Sequence, residues 1–289
     1  MEPAPIPAPA QVSPPVPPGS GEQSVPGAGD LPVPPRVVVL AQAGALALLA
    51  ALLIPLLAEW PDRWNVFAVL SPFEAVGVGL ATWIVAQSLT ARRISVSVAA
   101  GALVGFGGLT SIASVALLRF TINRLDAISV VLAVVVFLGA AATLAAGIGC
   151  LRSAERSAPA GTVDPSALVL GLAGAALVAV AIFTNYDGFS SLWSELAEGE
   201  SAEFVFEPVV LVVAILLGLG LLGGQPKLAA GLLLAVGTTA SLHYLGVLVA
   251  AWRAIGEVGE IKSAAFIGVL GGLLVVAAGA LVQRAGRER

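Results

Sequence analysis

Residues 127–151 read AISVVLAVVVFLGAAATLAAGIGCL, an apolar run of 25 residues without a charged side chain. A transmembrane helix needs about 20 such residues to cross about 30 Å of hydrocarbon, so this run is long enough to span a membrane. Backbone polar groups in lipid must be satisfied within the segment, and the run lacks the alternating polarity of a barrel strand. The run therefore predicts a transmembrane α-helix.

Comparable apolar runs recur along the whole chain and predict an all-α, polytopic transmembrane helix bundle of about eight spans. Hydrophobic residues make up 58% of the chain and charged residues 11%, with a mean hydropathy of +0.97. Soluble domains carry about 25% charged residues, so this composition excludes a soluble enzyme and a nucleic-acid binder with a basic face. The other seven runs lie at roughly 37–58, 73–90, 95–118, 166–184, 206–223, 228–250 and 264–283.

The first 35 residues have a different composition. Residues 1–35 contain 12 of the 19 prolines, which cannot donate backbone hydrogen bonds and disfavour helix in the preceding residue. This pattern predicts a disordered Pro-rich cytoplasmic tail. Two roles fit it, a solvated spacer or a docking strip for a partner protein.

A hydrophilic break divides the spans into two sets of four, which predicts a first membrane half at 36–152 and a second at 166–284. Residues 153–165 form the cytoplasmic linker between the halves, and residues 285–289 form a short basic cytoplasmic tail. At an offset of 130 residues, Ala-Ala-Gly recurs in the third and seventh spans, and a Phe-Glu pair opens both the second and the sixth. These matches suggest a parallel 4+4 repeat. Chance similarity between Ala- and Gly-rich segments explains them equally well.

The distribution of basic residues predicts the orientation. With the N-terminus inside, nine Lys and Arg residues fall on the cytoplasmic side and five on the outer side. We therefore expect a multi-pass protein of the cell membrane with both termini in the cytoplasm. The outer loop at 185–207 carries six acidic residues and no basic one. It is a candidate contact surface for a membrane or envelope protein partner, or simply a solvated loop.

His243 is an ionisable residue that the hydropathy pattern places inside the seventh span. Charges inside a bilayer are costly and tend to mark function, so we expect a polar intramembrane site around it. The candidate set also includes hydroxyl groups near His243 in the seventh span and hydroxyl groups in the corresponding region of the third span. A neutral histidine bonded to a neighbouring hydroxyl is the packing alternative. The candidate site residues are His243, Tyr244, Ser241, Thr239, Thr110, Ser111 and Ser114.

Two glutamates occur where the second and sixth spans begin. Ser71-Pro72-Phe73-Glu74 matches a capping box, in which Glu74 bonds back to the backbone of Ser71. Glu207, which precedes a proline, is a looser analogue. Both glutamates are thus interpreted as helix-end residues, and no Asp or Glu is expected at the depth of His243.

The chain shows no catalytic motif. A Walker loop, His-Glu-x-x-His and Gly-x-Ser-x-Gly are absent, and Cys150 is the one cysteine. We therefore expect no enzyme activity, no cofactor, no metal site and no nucleic-acid partner.

In its Pro-rich tail, its Ala/Val/Leu/Gly-rich spans and its 12 arginines against two lysines, the chain resembles uncharacterised multi-pass integral membrane proteins of high-GC actinobacteria. The resemblance covers the whole chain in composition only and implies no functional residue.

Two functions from different classes fit the sequence. The favoured one is a non-catalytic membrane subunit, scaffold or sensor that acts through its outer loops and tail, because such a protein needs no buried charges. The alternative is a transporter or permease for a small neutral solute, with its polar site between the third and seventh spans.

Overall fold

The computed structural model describes residues 33–51, 72–124, 127–154, 164–184, 202–255 and 263–285. In these ranges the regular secondary structure is entirely helical. A short 3-10 helix, Leu221–Gly223, follows the sixth α-helix. The α-helices are α1 (Pro35–Ala50), α2 (Pro72–Thr90), α3 (Val96–Arg124), α4 (Ala127–Ser153), α5 (Pro165–Phe183), α6 (Ala202–Gly220), α7 (Pro226–Ile255) and α8 (Ser263–Ala285).

Five of these helices are long and apolar enough to cross a membrane. They are α3, α4, α5, α7 and α8, while α1 and the segment Glu207–Gly223 are shorter apolar helices. Large apolar side chains are exposed on the outside of the bundle, among them Ile84, Leu138, Val169 and Leu217. Such a surface suits lipid rather than water. The chain thus has the architecture of a helical membrane protein, as the sequence predicts.

The helices pack in two groups of four. In the first group α3 packs on α4, α4 on α1, and α1 on α2; in the second, α7 packs on α8, α8 on α5, and α5 on α6. The groups meet where α3 crosses α7, with further contacts of α2 with α7 and of α3 with α6. Leu48, Val78 and Val136 lie in one apolar core, whereas Val178, Ile215 and Val236 lie in another.

Glycines allow the closest helix crossings. A Cβ atom on Gly101 would meet the Leu228 carbonyl, and one on Gly231 would meet the Val98 carbonyl, so α3 and α7 touch backbone to backbone. Small residues permit this approach in membrane bundles. The α3–α7 crossing therefore depends on the missing side chain of Gly101 and of Gly231.

The start of α5 is fixed by a side-chain cap from Asp164. The Ser166 amide donates to Asp164 Oδ1 at 2.9 Å, and Pro165 occupies the first helical position. A carboxylate at this position satisfies one of the free amides of the first turn.

We expect Asp164→Ala to lower the free energy of unfolding by about 1 kcal/mol, because the amide loses its acceptor. Asp164→Asn should stay within a few tenths of a kcal/mol, since asparagine caps nearly as well. Unfolding of the detergent-solubilised protein measures both values. Equal losses for the two variants would contradict the assigned cap.

Some helix bounds differ from the predicted spans, and several predicted segments lie outside the described residues. Helix α1 ends at Ala50 in the described range, whereas α3 and α7 run past the predicted spans. Residues 1–32, 155–163 and 286–289, which hold most of the predicted tails and linker, lie outside the described residues. The same is true of residues 185–201 of the acidic outer loop.

Candidate functional site

Three ionisable side chains from three helices meet inside the bundle. Glu74 comes from α2, Glu207 from α6 and His243 from α7. The Nδ1 atom of His243 lies 3.5 Å from Glu74 Oε2 and 3.4 Å from Glu207 Oε1. One ligand atom from each of the three side chains lies within 4.8 Å of the other two. We call this group the Glu–Glu–His cluster.

The cluster is buried from solvent to different degrees. The side chain of Glu74 is 1% exposed, that of His243 11% and that of Glu207 15%. Among the described residues neither carboxylate oxygen of Glu74 has a hydrogen-bond partner, so its contact with His243 is an ion-pair distance only. A buried carboxyl group without hydrogen bonds is costly and needs a physical reason.

Local packing explains how α2 and α7 bring the cluster together. Gly77 lies one turn beyond Glu74 on α2, and a Cβ atom there would collide with the side chain of Leu242. The missing side chain lets Leu242 pack closely against α2. The next residue, His243, then reaches Glu74.

The start of α6 places the third member. Helix α6 begins at Ala202, so Glu207 lies in its second turn rather than at its end. Pro208 follows as the seventh residue of the helix, where it cannot donate the usual bond to the fourth preceding carbonyl. Glu207 can therefore point into the bundle instead of capping α6.

The cluster lies towards one end of the bundle. Glu74 is in the first turn of α2, and Glu207 is in the second turn of α6. His243 lies in the C-terminal half of α7, within residues 228–252, which contain no Asp, Glu, Lys or Arg. The cluster is therefore inside the apolar part of α7, nearer to the C-terminal end of that helix.

The serines predicted for the site are satisfied within their own helices. Ser111 donates to the Gly107 carbonyl at 2.6 Å, and Ser241 donates to the Gly237 carbonyl at 2.9 Å. Ser114 donates to the Thr110 carbonyl at 2.5 Å. These bonds to the fourth preceding residue are typical of serine within helices. The serines thus bond to their own backbones rather than to His243.

The remaining predicted residues divide into two kinds. The hydroxyls of Thr110 and Thr239 are buried without a hydrogen-bond partner among the described residues. Tyr244 is fully buried, its ring meets that of His243 edge-on at 5.1 Å, and its hydroxyl donates to the Val178 carbonyl at 3.5 Å. Tyr244 therefore joins α7 to α5 behind the cluster.

The expectation that no acid lies at the depth of His243 is wrong. Glu74 and Glu207 were assigned to helix ends, which are usually at the surface, but here both are packed beneath neighbouring helices. The predicted partner of Glu74, Ser71, lies outside the described residues, and the Glu74 carboxylate lies against His243. The repeated Phe-Glu pair was the signal that could have identified both acids.

The cluster offers two kinds of chemistry. Two carboxyl groups around one imidazole nitrogen can share a proton, because every member can accept or release one. The same atoms can also ligate a metal ion.

Comparison of the chain with protein-family models, curated proteins and solved structures found no match to any of them.

Proposed function

We propose that the chain is a permease of the cell membrane that carries a cation through the Glu–Glu–His cluster. The observation that supports this most is the Glu74 carboxyl group, which is 1% exposed and without a hydrogen-bond partner among described residues, beside Glu207 and His243. Ionisable groups inside membrane segments are rare and mark ion or substrate pathways by default.

The cluster favours transport over the subunit or scaffold function. A protein that acts through its tail and outer loops has no need of three ionisable groups in its interior, because each lowers its stability. The cluster also changes the expected cargo. A site with two carboxyl groups favours a cation over the neutral solute that the sequence suggested.

We propose further that the two four-helix groups are a duplicated unit related by an axis along the membrane normal, with eight spans in all. The helix pairs of the first group recur in the second, and α3 and α7 meet each other across the centre. The serine bonds to Gly107 and Gly237 also correspond at an offset of 130 residues. Such parallel repeats occur in transporters.

The placement of the cluster across the two groups suggests how it would work. Glu74 belongs to the first group, whereas Glu207 and His243 belong to the second. A rocking motion of one group against the other would bring Glu74 to the cation or withdraw it. The glycine contact of Gly101 and Gly231 lies 12 residues before His243 on α7, about 18 Å away, and would serve as the pivot.

We also propose the orientation that the basic residues predict, with both termini in the cytoplasm. The cluster then lies nearer to the outer side, because α2 and α6 begin on that side and α7 ends there. Glu207 is the most exposed member and would meet the cation first.

Purified protein in liposomes tests the proposal. Internal dyes would report fluxes of protons, of potassium and of Zn²⁺ in separate experiments. We expect a flux of at least one of these cations, reduced at least tenfold in Glu74→Gln and Glu207→Gln, because each variant removes a carboxylate from the path.

Asp164→Asn is the matched control, since it makes the same chemical change at a helix cap away from the cluster. It should transport like the unaltered protein. The proposal fails if no cation moves, or if both cluster variants transport as fast as the control.

A further inference from the structure

We infer that the Glu–Glu–His cluster is a binding site for a divalent transition-metal ion of the zinc type. The inference deepens the proposed function and depends on it only for transport, because binding can be measured separately. It is carried by three observations: the donor set, the spacing of the donor atoms, and the buried carboxyl group of Glu74, which has no hydrogen-bond partner among the described residues.

The spacing of the donor atoms fits tetrahedral zinc. Zinc bonds to histidine nitrogen and carboxylate oxygen are about 2.0–2.2 Å long, so adjacent ligand atoms in a tetrahedron lie about 3.3–3.6 Å apart. His243 Nδ1 lies 3.5 Å from Glu74 Oε2 and 3.4 Å from Glu207 Oε1. Binding would therefore require little movement of His243 against either carboxylate.

The charges of the donors favour a divalent ion. Two carboxylates and a neutral imidazole carry two negative charges, which a divalent cation balances. A monovalent cation would leave one net charge in an apolar bundle, where uncompensated charge is costly. The oxygens of Glu74, which lack a hydrogen-bond partner among the described residues, would then be satisfied as ligands of the ion.

The donor types favour zinc over harder or softer ions. Calcium takes six to eight oxygen ligands and magnesium keeps several waters, whereas this cluster offers one imidazole nitrogen and two carboxylates. Softer ions such as Cu(I) favour thiolates, and Cys150 lies in a different apolar cluster with Val37. Three protein ligands leave a fourth position open for water or an exchanging ligand.

The single histidine simplifies the test, because Zn²⁺ bound through imidazole must be bound by His243. The probe is ⁶⁵Zn²⁺ alone, dialysed to equilibrium against the metal-free, full-length protein in detergent with excess Mg²⁺ and Ca²⁺. We expect about one zinc ion per chain. Affinity should fall more than about 100-fold in Glu74→Gln, Glu207→Gln and His243→Gln, since even outer-shell changes cost 10- to 100-fold.

A ligand exchange separates zinc binding from a structural effect. His243→Cys should keep the zinc and add a sulfur neighbour at about 2.3 Å in X-ray absorption spectra, where the unaltered protein shows only neighbours at about 2.0–2.2 Å. Asp164→Asn should bind zinc like the unaltered protein. A sulfur neighbour in the unaltered protein would place the zinc at Cys150 and overturn the inference.

Two further results would overturn it. One is the binding of less than about a tenth of a zinc ion per chain by the unaltered protein. The other is equal zinc binding by all the variants, which would indicate surface binding. Zinc binding without flux in liposomes would overturn the transport function and leave the zinc site intact. Proton or potassium flux without zinc binding would overturn the zinc site and leave the transport function intact.

Discussion

His243→Leu should lower the free energy of unfolding by about 3–5 kcal/mol, the usual cost of removing one partner from a buried ionic group. The change leaves the carboxyl groups of Glu74 and Glu207 facing each other without the imidazole that lies 3.5 and 3.4 Å from them. Glu74 has no other partner among the described residues that could compensate. Denaturant titration of the protein in detergent measures the loss.

A triple variant shows whether the loss comes from the carboxyl groups or from lost packing. Glu74→Met, Glu207→Met and His243→Leu together replace the cluster by apolar side chains of similar size. Such replacements are often neutral or stabilising by about 1–4 kcal/mol, so the triple variant should recover the stability of the unaltered protein. It should not recover cation flux or zinc binding. A triple variant as unstable as His243→Leu would contradict the electrostatic origin of the loss.

His243→Ala should lose stability and ligand binding together, because two acids contact the histidine. The carboxamide variants of Glu74 and Glu207 are better probes, because they keep the shape of each side chain while removing its charge.

Gly101→Ala and Gly231→Ala should each lower the free energy of unfolding by about 1–3 kcal/mol or more, the range for overpacking a filled interior. The atoms that the new methyl group would meet are the backbone carbonyls of Leu228 and Val98, which cannot rotate away as a side chain can. The two helices would have to separate. The same denaturant titration measures the effect.

Gly108→Ala is the matched control in the same helix, because a Cβ atom there meets nothing within 4 Å. Alanine is favoured over glycine by about 1 kcal/mol within helices, so this variant should be neutral or more stable. The double variant of Gly101 and Gly231 should lose less than the sum of the single losses, since one separation of the helices relieves both contacts. Equal behaviour of Gly101→Ala and Gly108→Ala would contradict the backbone contact between α3 and α7.

Helix class and approximate helix positions follow from the sequence because lipid imposes a simple rule. Long uncharged runs such as 127–151 must be helical, and α4 at Ala127–Ser153 follows that run closely. Helix ends are less predictable. Helices α3 and α7 extend to Arg124 and Ile255, past the point where hydropathy falls, since backbone bonding continues beyond the apolar window.

The candidate site could be predicted only in part. His243 was identified because an ionisable residue inside an apolar run can be recognised from the sequence of that segment, without knowing how the helices pack. Glu74 and Glu207 were not, because their burial depends on α2, α6 and α7 packing together, and each lies near a helix start where an acid has an ordinary explanation. The serines were included because the sequence does not show where their hydroxyl groups bond. In the structure Ser111 and Ser241 donate to carbonyls of their own helices.

Glu74 and Glu207 both contact His243 through its Nδ1 atom, and nuclear magnetic resonance of the imidazole detects both contacts. Labelling with ¹⁵N-histidine gives a single side chain to observe, because the chain contains one histidine. We expect the Nδ1 resonance to move in Glu74→Gln and again in Glu207→Gln, since each removes a carboxylate 3.5 or 3.4 Å away. Asp164→Asn should leave it in place. An Nδ1 resonance that is unchanged in both glutamate variants would contradict the cluster.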